Sequence, residues 1–150
     1  MRHVLALAEL GSLARAATVL HLSQSALSQH LAVLRAAVAA GVDHIDTSDF
    51  YGPHVTNQLI REALHPYPKD LVIGTKGGLT RPSRHRWDEN GRPEHLRRAV
   101  DGSLKRLRLE RIDLYQFHAP DPKVPYAESL GTLAELQRAG KIRHLGISNV

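Results

Sequence analysis

Four residues whose side chains hold and move protons sit at the ends of segments with strand character. Asp46 closes the run His44-Ile45-Asp46, and Tyr51 follows five positions later, just before Gly52. Lys76 follows Leu71-Val72-Ile73-Gly74-Thr75, and His118 follows the strand-like stretch over 112–117. In parallel α/β folds the carboxyl ends of the strands face the site. A carboxylate, a phenol, an ammonium and an imidazole placed there can therefore project into one pocket. Gly52 permits a tight exit from the loop that carries Tyr51. Singly, each group has an ordinary role: Asp46 as a helix cap, Lys76 as a surface lysine, His118 as a satisfied loop histidine.

The elements that must position these groups follow from the punctuation. An Ala-rich helix over 34–40 is closed by Gly41, and a strand over 42–46 follows. Val55, Leu59, Ile60, Ala63 and Leu64 mark a helix that Pro66 and Pro68 end. A buried strand over 71–75 leads to Lys76, and a polar loop over 77–92 carries the sole tryptophan, Trp87. Pro93 opens a helix with Leu96, Ala99, Val100, Leu104 and Leu107 facing inward. A strand over 112–117, a helix over 125–139 capped by Gly140, and a strand over 142–148 complete the chain. Four helix–strand alternations with mostly non-alternating apolar strands predict a parallel sheet covered by helices.

Composition sets outer limits. The 150 residues are enough for one ordinary domain or two small ones, and 42% hydrophobic residues allow a packed core. The 20 Lys+Arg against 15 Asp+Glu give +5, which suits nucleic acid or a phosphorylated ligand. With no Cys there is neither a disulfide framework nor a cysteine zinc site. The 10 His contain no pair spaced three or four apart, so no metal site is expected. No signal peptide or membrane-spanning run is recognised, and a cytoplasmic protein is the default expectation.

The first thirty-six residues read as three short helices. Leu5, Leu7 and Ala8 begin an apolar face that ends at Gly11-Ser12. Ala16, Ala17 and Leu20 belong to a second helix, and Ser23 is an N-cap for a third with Leu27, Leu31 and Leu34 on one side. The runs Gly11-Ser12-Leu13-Ala14-Arg15-Ala16-Ala17 and Leu22-Ser23-Gln24-Ser25-Ala26-Leu27-Ser28-Gln29 closely resemble the helix-turn-helix head of LysR-type transcriptional regulators. That resemblance implies a segment over 1–36 in which Gln24, Ser25, Ser28 and Gln29 face DNA. It breaks off at Arg35, where the family expects an acidic residue. No Pro or Gly interrupts residues 23–40, so one continuous helix ending at Gly41 is expected across this junction.

The rest of the chain, over 37–150, strongly resembles the aldo-keto reductases. Ile45-Asp46-Thr47 through Tyr51-Gly52, Thr75-Lys76, Ser103-Leu104-Lys105-Arg106-Leu107 with Ile112-Asp113-Leu114-Tyr115 and His118, and Gly146-Ile147-Ser148-Asn149 match that family's motifs in order. The resemblance implies an α/β fold, part of a (β/α)₈ TIM barrel with four parallel strands, its second to fifth. It implies NADPH-dependent reduction of a small aldehyde or ketone. Tyr51 would give a proton to the developing alkoxide. A free Tyr has a pKa of about 10, and a nearby Lys⁺ stabilises the phenolate. Lys76 would play that part, Asp46 would fix Lys76, and His118 would donate to the carbonyl oxygen. Ser148 and Asn149 would hold the nicotinamide carboxamide. With the remaining barrel strands not present, a fusion or fragment is expected. Such a chain would have little reductase activity and an open sheet edge able to pair with a second copy. The rival expectations are a DNA-binding regulator with an inert barrel piece, or a non-functional fusion product.

Overall fold

A computed structural model describes residues 23–52, 54–83 and 86–149. The two helices expected before residue 22 lie outside the described residues. Within them the elements run α1 (Gln24–Ala39), β1 (His44–Asp46), α2 (Val55–Leu64), β2 (Val72–Gly77), β3 (Leu79–Ser83), β4 (Arg86–Glu89), α3 (Pro93–Leu107), β5 (Ile112–Phe117), α4 (Tyr126–Arg138) and β6 (Ile142–Ile147).

The helix expected across residues 23–40 is continuous. Ser23 caps α1, its hydroxyl accepting from the Ala26 amide at 3.2 Å. The 16 residues span about 24 Å at 1.5 Å per residue. The boundary expected between residues 36 and 37 therefore falls inside one helix. Leu27 and Leu31 are buried, with Leu34 and Val38 packed beside them, so the apolar stripe faces α2 and the sheet. Arg35, the residue that departs from the regulator pattern, has a barrel role. Its guanidinium donates to the carbonyls of Ala63 (2.9 Å) and Glu62 (3.3 Å) in the last turn of α2. Those carbonyls lack partners within their own helix, and the helix dipole favours a cation there.

The main sheet has the order β1-β2-β5-β6, and its pairings β1·β2, β2·β5 and β5·β6 are all parallel. Ile45 lies beside Ile73, Thr75 beside Tyr115 and Tyr115 beside Leu145. Neighbouring strands follow chain order with no reversal. A doubly wound sheet reverses its order at a switch point, whereas a barrel wall does not. The described sheet is thus a stretch of parallel barrel wall. Two apolar clusters cover it. Leu27, Leu31, Ile60, Leu64 and Ile73 form one under α1 and α2. Leu96, Val100, Ile112, Phe117, Leu133 and Ile142 form the other under α3 and α4.

Two expectations need correction. The polar loop over 77–92 contains an antiparallel hairpin, β3–β4, pairing Leu79 with Glu89 and Thr80 with Asp88. Its strands carry few apolar residues and a register shift, so alternation is weak and tertiary contacts decide the structure. The first strand begins at His44 rather than Val42, because the Val42 amide still donates to Ala37 O at 3.1 Å in the turn that ends α1. No helix among the described residues is long and apolar enough to cross a membrane.

One close approach fixes how α3 meets the sheet. A Cβ at Gly77 would lie 2.0 Å from the Tyr115 hydroxyl oxygen and 3.1 Å from Ala99 Cβ. Neither neighbour has room to move, since Tyr115 is fully buried and Ala99 nearly so. Gly77→Ala is expected to cost about 2 kcal/mol or more through overpacking. Urea unfolding reads this directly, and a variant as stable as the parent would show that the approach is looser than described.

Candidate active site

Residues 46–52 leave β1 and cross to the end of β2. The crossing is laced by Lys76. Its side chain is buried, and the ammonium donates to Asp46 Oδ2 at 2.5 Å and to Thr47 O at 3.2 Å. Its backbone carbonyl accepts the Asp49 amide at 3.2 Å and lies 3.3 Å from Ser48 Oγ. Thr47 adds a bond from its own amide to Gly74 O (2.9 Å) and one from its hydroxyl to Asn57 in α2 (3.0 Å). The loop is therefore tied to β2 and α2 as well as by its own turn bonds, Phe50 N to Ser48 Oγ (3.3 Å) and Tyr51 N to Ser48 O (3.2 Å).

That lacing sets where each ring points. Phe50 turns inward and is 3% exposed, while Tyr51 turns outward and is 37% exposed. Gly52, at φ +68°, makes the tight exit. The Lys76 ammonium lies 5.6 Å from the centre of the Tyr51 ring. The Tyr51 and His118 rings meet edge to face with centroids 6.1 Å apart. Asp46, Tyr51, Lys76 and His118, drawn from three strands, thus gather at one end of the sheet. Burial first, and then the Lys76 charge, hold the His118 imidazole below its ordinary pKa of 6.5.

Ser148 and Asn149 follow β6 beside this group. Asn149, at φ +55°, donates through Nδ2 to His118 O at 2.8 Å and to Ser148 Oγ at 3.1 Å. Ser148 N donates to Phe117 O at 3.0 Å, continuing the ladder one residue past the strand. The regulator-like positions are elsewhere. Ser25, Ser28 and Gln29 are exposed on α1, whereas the side chain of Gln24 lies outside the described residues. Among the described residues no three His, Cys, Asp or Glu side chains are placed to hold a metal ion.

Three features beside the site carry no spacing signal in the sequence. Ser48 Oγ lies 3.3 Å from His118 Nδ1. Phe50 stacks edge-on against Trp87 of the hairpin at 4.6 Å, with the Arg81 guanidinium 6.0 Å from the Phe50 ring centre and 5.9 Å from that of Trp87. Asp49 is buried and its Oδ1 has no hydrogen-bond partner among the described residues. Only the acidic type of Asp49 hinted at a role. The side-chain partners come from elements some 30 to 70 positions away.

A parallel wall with these groups at its C-terminal end is the architecture of part of a (β/α)₈ barrel with its site face. The sequence pattern of the Aldo/keto reductase family matches residues 15–150, and the chain belongs to that family. The match begins inside the segment that resembles LysR regulators. Pyridoxine 4-dehydrogenase of Escherichia coli is 46% identical over 127 residues, covering 80% of this chain and 44% of that protein. A glycerol dehydrogenase structure from Gluconobacter oxydans superposes with a TM-score of 0.72 at 38% identity, covering 78% of this chain and 38% of that one. An aldo-keto reductase structure from Klebsiella pneumoniae in complex with NADPH shares the fold, with a TM-score of 0.69 at 24% identity over 85% of this chain and 42% of that one. The chain spans less than half the length of the curated relatives it matches.

Burial lifts the Asp49 carboxyl to about 7 from the usual 3.8, and the nearby Arg106 guanidinium only partly offsets this. Because the folded value is raised, Asp49 adds stability fully below pH 4 and loses it as pH rises through 7. Asp49→Asn fixes the neutral form and removes this slope. Between about pH 5 and pH 8 the parent is expected to lose about 2–3 kcal/mol more unfolding free energy than the variant. Parallel stability curves from urea titrations would contradict a neutral buried carboxyl.

Proposed function

We propose that this chain carries the proton-handling half of a carbonyl reductase site that uses NADPH to reduce an aldehyde or ketone. The observation that supports it most is the gathering of Asp46, Tyr51, Lys76 and His118 around the outward-facing Tyr51 phenol. In this reading the Tyr51 hydroxyl gives its proton to the carbonyl oxygen as negative charge develops there. Lys76, close to the ring, stabilises the phenolate left behind, and Asp46 holds the Lys76 ammonium in place. His118 donates a hydrogen bond to the same oxygen and orients the carbonyl. Burial of Lys76 strengthens these interactions by excluding water.

The donor set at the end of β6 fits a carboxamide. Asn149 spends its Nδ2 on His118 O and Ser148 Oγ, which leaves its Oδ1 to accept and the Ser148 hydroxyl to donate. Ser148 and Asn149 would therefore hold the nicotinamide amide, and the cofactor supplies a hydride when bound. The tether from Asn149 to His118 O then couples the cofactor side of the site to the proton side.

The exposed Ser25, Ser28 and Gln29 support the second reading, a surface that meets DNA. Duplex binding that weakens steeply with salt would favour it, since phosphate contacts release counterions.

The reductase reading is tested by following NADPH consumption with a simple aldehyde. Tyr51→Phe is expected to lower kcat by about 100-fold or more while NADPH affinity stays within about twofold. Equal turnover by parent and variant would refute Tyr51 as the proton donor.

A further inference from the structure

Ser48 is fully buried in the turn after β1, against the ring of His118. Its Oγ lies 3.3 Å from His118 Nδ1, 3.3 Å from Lys76 O and 3.3 Å from the Phe50 amide nitrogen. The Phe50 amide can only donate, so it takes one Oγ lone pair. The single hydroxyl proton then has two acceptors to choose between. Lys76 O already accepts the Asp49 amide at 3.2 Å. His118 Nδ1 has no partner but Ser48 among the described residues.

The choice decides what His118 can do. If the hydroxyl points to Lys76 O, Nδ1 carries the ring proton and Nε2 presents only a lone pair. If the hydroxyl points to Nδ1, the proton sits on Nε2, at the ring edge away from Ser48. Lys76 and Asp46 are the charged groups that act on the ring, and Lys76 favours the uncharged imidazole. A neutral ring donates or accepts at Nε2 according to its tautomer alone. The backbone at this point is already fixed, because His118 N donates to Gly77 O (2.9 Å) and His118 O accepts from Asn149 (2.8 Å). The ring is met edge to face by Phe50 and Tyr51, and Ser48 is its polar partner at Nδ1.

We propose that Ser48 is a positioning residue that holds neutral His118 as the Nε2–H tautomer, so that the imidazole presents a donor to the oxygen of a bound carbonyl. The purpose of this arrangement rests on the reductase reading, whereas the Ser48–His118 contact does not. Ser48 does not touch the substrate. It acts through the proton it places on one nitrogen of the ring and thereby on the other.

The test reads the tautomer without substrate or cofactor. Protein carrying ¹⁵N-labelled histidine is measured at about pH 8, where His118 is neutral, by two-bond proton–nitrogen correlation. His118→Gln assigns the signals. The parent is expected to show the Nε2–H pattern at His118, and Ser48→Ala is expected to shift it toward the averaged pattern of mixed tautomers. With an aldehyde and NADPH, Ser48→Ala should lose about tenfold in kcat and keep KM within about twofold. An Nδ1–H pattern in the parent overturns the proposal, and that result stands even if the alanine variant does not fold. An unchanged tautomer in a folded Ser48→Ala overturns it as well. A parent that shows Nε2–H, loses it in Ser48→Ala and turns over no carbonyl would support the tautomer assignment and count against the reductase reading alone.

Discussion

A buried ammonium is costly to hold, and Lys76 is where this structure bears that cost. Taking a charge from water requires a partner and full hydrogen bonding in return. Asp46 Oδ2 supplies the partner and Thr47 O a second acceptor. Both come from the residues that leave β1. The same lysine's backbone carbonyl receives the Asp49 amide and sits against Ser48 Oγ. A single position on β2 thus satisfies its own charge and organises the loop that presents Tyr51. The arrangement is robust in one sense and brittle in another. The Asp46 carboxylate is 55% exposed and can still be wetted, but removing Asp46 would leave the buried ammonium with only the Thr47 carbonyl for company.

The parallel-wall architecture was legible because it is written in local terms. Apolar-rich strands without strict alternation, Pro at helix starts and Gly after helix ends need no knowledge of distant residues, and α2, α3 and β5 have the expected bounds or nearly so. The gathering of Asp46, Tyr51, Lys76 and His118 was legible for a different reason, since strand ends in a parallel sheet all face the same way. The hairpin was not. Its residues Leu79-Thr80-Arg81-Pro82-Ser83 lack the alternation that marks a strand, and Phe50, from a different element, supplies the apolar surface against which Trp87 rests. Ser48 and Asp49 were invisible as functional groups because their importance lies in burial and in partners on β2, α3 and the end of β5.

Helix α1 lies within the Aldo/keto reductase match, although its sequence leads to the expectation of a regulator head. Leu27, Leu31 and Leu34 are the residues a helix needs to pack on anything, and here they pack on α2 and β2. Ser25, Ser28 and Gln29 occupy the opposite, solvent face, where packing sets few limits on residue type. The expectation of a regulator head draws on residue types from both faces. The fit to the barrel is carried by the buried face and by Arg35, whose bonds to the end of α2 have no counterpart in the regulator pattern.

The contact between Phe50 and Trp87 joins the Tyr51 loop to the hairpin where no backbone hydrogen bond links them among the described residues. Trp87 is the only tryptophan in the chain and is 57% exposed, so its indole is wetted on one side and in van der Waals contact on the other. Indole emission is sensitive to that balance. The molecule consequently contains an intrinsic optical probe at the rim of its candidate site, one whose colour and intensity register the separation of loop and hairpin without any label being added.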